Sequence, residues 1–142
     1  MPDVAVTTDI IVGFPGETGE QFEKTLAEAR QMEFSGIHVF PYSPRRGTPA
    51  AGFPNQVSED VKKERAHRLQ ELSDESALNY RKKFIGKELE VVWEASDATG
   101  QAIGWSSEYL RVYGKGGVEE RRTIGKVKAV EIFRDGLDCI VE

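Results

Sequence analysis

Two short loops of the 142-residue sequence combine residue types that suit small-molecule binding. The first is GFPGET, residues 13–18, which follows an apolar run and precedes a helical pattern. Glycine has no Cβ, so the backbone amides around Gly13 and Gly16 can approach a ligand closely. The turn lacks the Gly-Lys-Ser/Thr ending of a P-loop and the Gly-x-Gly-x-x-Gly of a dinucleotide fold. An ordinary strand-to-helix turn is the competing interpretation.

The second loop is YSPRRGTPA, residues 42–50. It offers the hydroxyl groups of Ser43 and Thr48 and the guanidinium groups of Arg45 and Arg46. Guanidinium forks suit carboxylates and phosphates. A solvated pair of charges is the alternative interpretation, with equal support.

The residues that most often ligate metals are few and scattered. Cys139 is the single cysteine, and His38 and His67 lie far from it in sequence, so no zinc or iron–sulfur ligand spacing exists. We expect Cys139 to be a small buried residue of the last strand, His38 a core residue and His67 a surface residue. Asp9 lies in an apolar run and is expected to be a hydrogen-bonded structural acid rather than a catalytic one.

The composition indicates a soluble globular protein. The sequence is 39% hydrophobic and 30% charged, with a net charge of −5. It contains no apolar run long enough for a membrane helix and no signal peptide, so we expect a cytoplasmic protein without a membrane partner. Residues 81–142 carry 11 acidic and 11 basic residues, so a nucleic-acid role depends on local clustering of charge.

Both loops follow segments that read as parallel strands. Residues 4–14 are apolar on both sides of the alternation, which is typical of a strand covered on both faces. Thr18 and Gln21 form a capping-box pattern at the start of a helix, and residues 37–42 follow as a second strand. A strand, helix and strand of this length predict a βαβ unit. Its two loops then share the carboxyl edge of the sheet, where α/β proteins bind ligands.

A change of period marks a second region. A long helix is predicted from Ser58 to about Phe84, with Gly86 just after it, and the hydrophobic period then becomes two. We predict a domain boundary between residues 85 and 86, and a small five-stranded antiparallel barrel of the OB type after it. The predicted strands are residues 87–95, 102–107, 109–114, 124–133 and 138–142.

The first region is too small to stand alone as a parallel sheet. Two parallel strands are too few for an independent α/β domain, and residues 4–14 would present an unpaired apolar edge. We therefore expect further strands, encoded upstream of this sequence, to cover that edge. A second copy of the chain is the alternative partner.

Basic and aromatic side chains alternate in the predicted barrel, a combination that suits looped or single-stranded RNA. An ordinary solvated β surface is an equal alternative, because Glu119, Glu120 and Glu131 lie among them. The basic residues are Arg111, Lys115, Arg121, Arg122, Lys126 and Lys128, and the aromatic residues are Trp105, Tyr109 and Tyr113.

The two stretches TTDIIVGFPGET (7–18) and HVFPYSPRRGTPAA (38–51) resemble the last third of the radical S-adenosylmethionine barrel of methylthiotransferases. Residues from about 81 onward resemble the TRAM domain of that family. The second stretch is most similar to the bacterial branch that acts on threonylcarbamoyladenosine in tRNA, rather than those acting on isopentenyladenosine or a ribosomal protein. The resemblance therefore implies a partial parallel α/β barrel followed by a TRAM barrel.

The resemblance also implies an activity. The family methylthiolates a modified adenosine next to the anticodon of tRNA, with S-adenosylmethionine as radical source and methyl donor and with two 4Fe-4S clusters. Its TRAM domain holds the tRNA, which makes the anticodon stem-loop the implied partner. By motif matching, the implied cofactor-binding residues are Asp9, Val12, Gly13, Phe14, Pro15, Ser43, Arg45 and Thr48.

One departure from the family limits what this chain can do alone. The cysteine motifs that bind both clusters are absent, because Cys139 stands alone. Cleavage of S-adenosylmethionine needs an electron from such a cluster. We therefore predict that the isolated chain binds no cluster, supplies no catalytic residue and is inactive. The alternative function is a non-catalytic module that binds RNA or a protein. A stand-alone S-adenosylmethionine enzyme has less support, because the sequence has no methyltransferase glycine loop.

Overall fold

The computed structural model describes residues 3–115 and 123–141, except for the side chain of Lys115. Of these, residues 6–78 form one compact unit, and residues 3–5, 79–115 and 123–141 form the other. The first unit contains a two-stranded sheet, and the second contains a closed barrel. The elements are β1 (Thr7–Val12), α1 (Gly19–Gln31), β2 (Gly36–Pro41), a 3₁₀ turn (Pro49–Gly52), α2 (Glu59–Lys82), β3 (Glu88–Ser96), β4 (Ala102–Ser106), β5 (Arg111–Lys115), β6 (Ile124–Phe133) and β7 (Gly136–Val141).

The predicted βαβ unit is confirmed. Strands β1 and β2 pair in parallel, with Val12 opposite Pro41 at their carboxyl ends. Helix α1 begins at the predicted capping box, in which the Gln21 amide donates to Thr18 Oγ1 at 3.2 Å and the Thr18 amide donates to Gln21 Oε1 at 2.9 Å. Both loops therefore leave the sheet at the same edge.

Helices α1 and α2 cover one face of this sheet. Ser73 of α2 is buried, and its hydroxyl bonds both the amide (3.0 Å) and the carbonyl (3.1 Å) of Ile37 in β2. Neither helix of the described chain is both long and apolar enough to span a membrane. The core of the unit is formed by Val12, Phe22, Ala29, Ile37, Leu69 and Leu72.

The opposite face of the sheet is open. Ile11 is 55% exposed and Phe40 is 50% exposed, although both are large and apolar. The prediction that β1 is covered on both faces is therefore wrong for this chain, because both helices pack on the face that carries Val12. Within the described residues, β1 pairs only with β2, and its other edge has no strand beside it.

The second unit is the predicted closed five-stranded barrel, with the strand order β3-β4-β5-β7-β6. The prediction that all its strands are antiparallel is wrong for one pair, because β5 and β7 run parallel. The cause is that β7 forms an antiparallel hairpin with β6, and its other edge then pairs with β5 in the parallel direction. This pairing closes the barrel, so no strand of it keeps a free edge.

Trp93 of β3 fills the inside of the barrel, where it is 2% exposed. Three glycines of neighbouring strands face its indole ring. A Cβ on Gly104, Gly114 or Gly125 would lie 3.1, 2.6 or 2.8 Å from the nearest Trp93 atom. Contacts below 3.0 Å require the ring to move, so the space for Trp93 depends on these glycines.

The last turn of α2 and the turn that follows it belong to the barrel core. The rings of Tyr80 and Phe84 pack edge to face with centroids 5.1 Å apart, and both are buried with the barrel strands. The Tyr80 hydroxyl lies 3.0 Å from the carbonyl oxygens of both Asp3 and Glu108. Lys87 Nζ lies 2.8 Å from an Asp3 carboxylate oxygen. The barrel unit therefore includes residues from both sides of the α/β unit in sequence.

We predict that Gly114→Ala destabilises the barrel by about 1–3 kcal/mol, because the new methyl group overlaps the Trp93 ring. Urea unfolding followed by Trp fluorescence measures the loss. Gly19→Ala is the matched control, since a Cβ there meets no atom within 4 Å. Equal stability of the Gly114 variant and the wild type would contradict this packing of Trp93.

Candidate functional site

The carboxyl edge of the parallel sheet holds a hollow of about 430 Å³. Three of the predicted site residues, Ser43, Arg45 and Thr48, meet there. Its apolar part comes from the open face of the sheet. The full lining is Ile11, Phe40, Pro41, Tyr42, Ser43, Arg45, Thr48 and Ala50.

The second loop is folded by its own hydrogen bonds. The Thr48 amide and its Oγ1 both donate to the Arg45 carbonyl, at 3.1 and 2.8 Å. Gly47 between them has a φ of 88°, which favours glycine. The Thr48 hydroxyl proton is thus used within the turn, and its oxygen can only accept from a ligand. Arg45 and Arg46 remain exposed.

The first loop contacts the second through aromatic rings. Phe14 is exposed, and its centroid lies 5.1 Å from that of Tyr42 and 6.3 Å from that of Phe53, both edge to face. Pro15 is half-buried. Val12 is fully buried, so its side chain contacts the core rather than the hollow.

The two glycines of the first loop make hydrogen bonds within the chain. The Gly13 amide donates to Glu17 Oε1 at 2.8 Å, and the Gly16 amide donates to the Asn55 carbonyl at 2.9 Å. Both residues have left-handed backbones, and a Cβ on Gly13 would overlap the Lys62 side chain. The N–H groups of these two glycines are therefore bonded within the chain, and the approach of a ligand to the backbone around them stays a prediction.

Sequence reasoning missed the residues that hold this turn. Arg65 of α2 pairs with the Glu17 carboxylate and donates to the Glu17 carbonyl at 3.2 Å, and the two side chains are 9% and 14% exposed. Lys62, one turn earlier, is buried and lies 5.4 Å over the Tyr42 ring. A signal existed, because positions 62 and 65 fall at helical spacing on the same face as Leu69.

Asp9 and His38 lie opposite each other on the open face of the sheet. Both are exposed, so the predictions of a buried structural acid and a core histidine are wrong. The cause is the same open face that exposes Ile11 and Phe40. His67 lies on the surface, as predicted.

The hollow fits a ligand that has a flat ring and an anionic group. Ile11 and Phe40 provide an apolar surface, and Arg45 provides a cation beside it. The Tyr42 hydroxyl is buried and has no hydrogen-bond partner among the described residues, which is costly unless a ligand or water supplies one.

The predicted basic residues whose side chains the structure describes, Arg111, Lys126 and Lys128, do not all lie together. Lys126 lies directly opposite Glu90, and Lys128 lies directly opposite Glu88, so each lysine faces a carboxylate. Arg111 is on another part of the barrel wall, with its guanidinium carbon 5.1 Å from the centroid of Trp105.

The remaining predicted residues of the barrel differ in what the structure shows. Lys115 ends β5, whereas Arg121 and Arg122 lie outside the described residues. Tyr113 is buried and bonded to the Asp135 carboxylate, so its ring is not available for stacking. Burial is the largest cause that raises the pKa of Tyr113, and the hydrogen bond with Asp135 is the second.

Cys139 is buried in β7, as predicted. Burial, together with the adjacent charge of Asp138, raises the pKa of Cys139 to about 12, so the side chain is a neutral thiol. Within residues 3–115 and 123–141, no group of three His, Cys, Asp or Glu side chains is placed to hold a metal ion.

Comparison with known proteins gives relatives that cover most of this chain. The chain is 41% identical over 140 residues to the threonylcarbamoyladenosine tRNA methylthiotransferase MtaB of Bacillus subtilis (strain 168), covering 96% of this chain. It is 52% identical over 103 residues to the tRNA-2-methylthio-N(6)-dimethylallyladenosine synthase of Geobacillus kaustophilus, covering 72%. Its curated relatives are tRNA methylthiotransferases. The MtaB methylthiotransferase of Thermotoga maritima is 44% identical over 110 residues, covering 78%.

The chain spans only part of these methylthiotransferases. It covers 30% of the Bacillus subtilis protein, 19% of the Geobacillus kaustophilus protein and 25% of the Thermotoga maritima protein. No protein-family model matches the chain. Relatives named for either of two modified adenosines match it, so the comparisons support the family and not one substrate.

We predict that Arg65→Ala destabilises the α/β unit by about 3–5 kcal/mol, because it leaves the Glu17 carboxylate buried without its cation. Chemical denaturation followed by circular dichroism measures the change. Arg68→Ala is the control and should have a much smaller effect, because Arg68 of the same helix is half-buried and its pair with Glu23 is more exposed to water. Equal losses from the two substitutions would show that the buried pair does not hold the turn.

We predict that the free energy of unfolding falls as the pH rises above the ordinary thiol pKa of 9.0 toward 12. The unfolded chain loses the Cys139 proton first, so this group contributes a slope of about 1.4 kcal/mol per pH unit. Tyr80 and Tyr113, whose pKa values burial also raises, act in the same direction. Urea unfolding at a series of alkaline pH values should give a shallower fall for Cys139→Ala. Identical slopes would contradict a neutral buried thiol.

Proposed function

We propose that this chain is the C-terminal part of a tRNA methylthiotransferase that converts N6-threonylcarbamoyladenosine next to the anticodon to its 2-methylthio derivative. One observation carries the proposal. The parallel pairing of β1 and β2 gathers Ser43, Arg45 and Thr48 around one hollow, in a chain whose relatives are tRNA methylthiotransferases. The HVFPYSPRRGTPAA stretch, which resembles the threonylcarbamoyladenosine branch, supports that substrate.

The hollow would hold part of S-adenosylmethionine. In this proposal the adenine rests on Ile11 and Phe40, Arg45 pairs with the carboxylate, and Tyr42 donates from its buried hydroxyl. Asp9 is on the same open face and can accept from the ribose hydroxyls. When bound, the cofactor supplies the radical and the methyl group. The side chains of this chain bind and orient it.

The remaining implied cofactor residues act indirectly. Val12 is buried and Gly13 is bonded to Glu17, so both set the position of Phe14 and Pro15 at the rim. The Glu17–Arg65 pair, in turn, sets the position of Gly13. We propose these as positioning residues rather than direct ligand contacts.

Further parts of the enzyme complete the site in this proposal. Residues 1–85 end a radical S-adenosylmethionine barrel, and residues 86–142 form its TRAM domain, which holds the anticodon stem-loop. Two 4Fe-4S clusters are bound by other segments, so the isolated chain is inactive. Preceding barrel strands, or a second copy of this chain, pair with the edge of β1 that has no strand beside it among the described residues.

The proposal predicts the activity of a chimera in which this chain replaces the matching segment of Bacillus subtilis MtaB. In cells that lack the native enzyme, mass spectrometry of tRNA nucleosides should detect the 2-methylthio derivative of threonylcarbamoyladenosine. Arg45→Ala should reduce the product on the order of tenfold or more, because a charge-assisted pair is lost. Arg46→Ala, next to it and outside the hollow lining, should leave the product unchanged.

Two results would contradict this proposal. A folded chimera that binds its clusters and forms no methylthio product would exclude the function. A chimera of the dimethylallyladenosine synthase that regains full activity, while the MtaB chimera does not, would exclude threonylcarbamoyladenosine as the substrate. The isolated chain serves as the negative control.

A further inference from the structure

A second hollow, of about 520 Å³, lies on the outer wall of the barrel. Its volume is in the range of ligand sites in proteins. Four large apolar side chains line it and are exposed there, a density that marks interaction surfaces. They are Val92, Trp105, Tyr109 and Ile124.

The strand register builds this surface as one continuous row. Ile124 of β6 is opposite Val92 of β3, Val92 is opposite Trp105 of β4, and Trp105 is opposite Arg111 of β5. Four neighbouring strands each contribute one outward side chain. The row is therefore fixed by backbone pairing and does not depend on loop conformation.

Tyr109 extends this row from the β4–β5 turn. It is 81% exposed, and its φ of 61° is unusual for a bulky residue. The turn is held by Ser106, whose Oγ accepts from the amides of Glu108 at 3.2 Å and Leu110 at 3.3 Å. The Tyr109 ring centroid lies 6.3 Å from that of Trp105. A strained backbone thus presents an aromatic ring to solvent, next to a second ring.

The charges around the row favour bases over phosphates as its ligand. Glu90 and Glu94 line the hollow, and Lys126 is opposite Glu90, so the described residues around it give no excess of cations toward a phosphate backbone. The guanidinium of Arg111 lies over the Trp105 ring, and its Nε is buried without a hydrogen-bond partner among the described residues. Aromatic rings beside a guanidinium suit the flat faces and polar edges of nucleobases.

We propose that the row of Trp105, Tyr109 and Arg111 binds unpaired nucleobases of an RNA loop by stacking. This inference rests on the proposed function, because it assigns the RNA-contacting surface of the barrel. The sequence predicted Lys126 and Lys128 as RNA contacts, but both lie opposite glutamates, so this inference assigns RNA binding to the aromatic row instead. Because the described residues of this surface offer few cations to phosphates, the logarithm of the affinity should fall only shallowly with the logarithm of the salt concentration, with a slope smaller than about 2.

Titration of the full chain with two RNAs of equal length tests this inference. One is a stem-loop with 2-aminopurine in its unpaired loop, and the other is a fully paired duplex. The loop RNA should bind more tightly, and its 2-aminopurine fluorescence should be quenched by stacking. Trp105→Leu and Tyr109→Gly should each weaken loop binding on the order of 5- to 100-fold. Glycine at position 109 tolerates the positive φ, so that turn persists.

Two matched variants separate stacking from general damage to the barrel. Tyr109→Phe keeps the ring and should bind as the wild type does. Ile140→Ala removes an exposed apolar side chain of β7, which does not line the hollow, and should also bind normally.

The outcomes distinguish the two proposals. If the wild type binds the loop RNA and the Trp105 and Tyr109 variants bind it equally well, the stacking surface is wrong and the RNA role of the barrel stands. Equal binding of loop and duplex, with a steep salt dependence, would also overturn stacking. If the wild type binds neither RNA, both the stacking surface and the RNA role of the barrel are wrong. A protein partner is then the remaining occupant of the hollow.

Discussion

The buried pair of Glu17 and Arg65 is the constraint on which the α/β unit depends. The Glu17 carboxylate accepts from both the Arg65 guanidinium and the Gly13 amide, so one acid fixes the turn after β1 to the second turn of α2. Breaking such a pair leaves an uncompensated charge in a poorly solvated place. The same helix contacts Tyr42 through Lys62 and Ile37 through Ser73. A single helix therefore positions both loops of the hollow.

The packing of one large side chain, rather than a charge pair, determines the interior of the barrel. Trp93 occupies its inside, and glycines from three other strands leave the space that the indole ring needs. Interiors are packed closely enough that one added methyl group is felt. The size of the side chains at inward positions is thus tightly restricted. Packing inside the barrel places no such limit on the outward side chains of the same strands. The exposed row that includes Trp105 and Arg111 consists of such outward side chains.

Local patterns in the sequence predicted local structure well, and non-local features poorly. The capping box of Thr18 and Gln21 depends on residues three apart, and it was confirmed. Helical spacing places Lys62 and Arg65 on the same face as Leu69, but it does not reveal their partners, which lie in loops at least 20 residues earlier in the chain. The role of Gly13 was missed for the same reason, since its constraint is Lys62. The pairing of Lys126 with Glu90 needed the strand register, which a two-residue period leaves open.

The contacts of Tyr80 bear on how the barrel could be separated from its neighbour. Its hydroxyl lies near carbonyls of Asp3 and Glu108, and its ring packs with Phe84 inside the barrel core. A gene fragment that starts at the first barrel strand would lose these rings and expose the apolar residues beneath them. A barrel that folds on its own must therefore include the last turn of α2 and the residues up to Phe84, which cover its core. The autonomy of this small domain is set by that turn rather than by the strands alone.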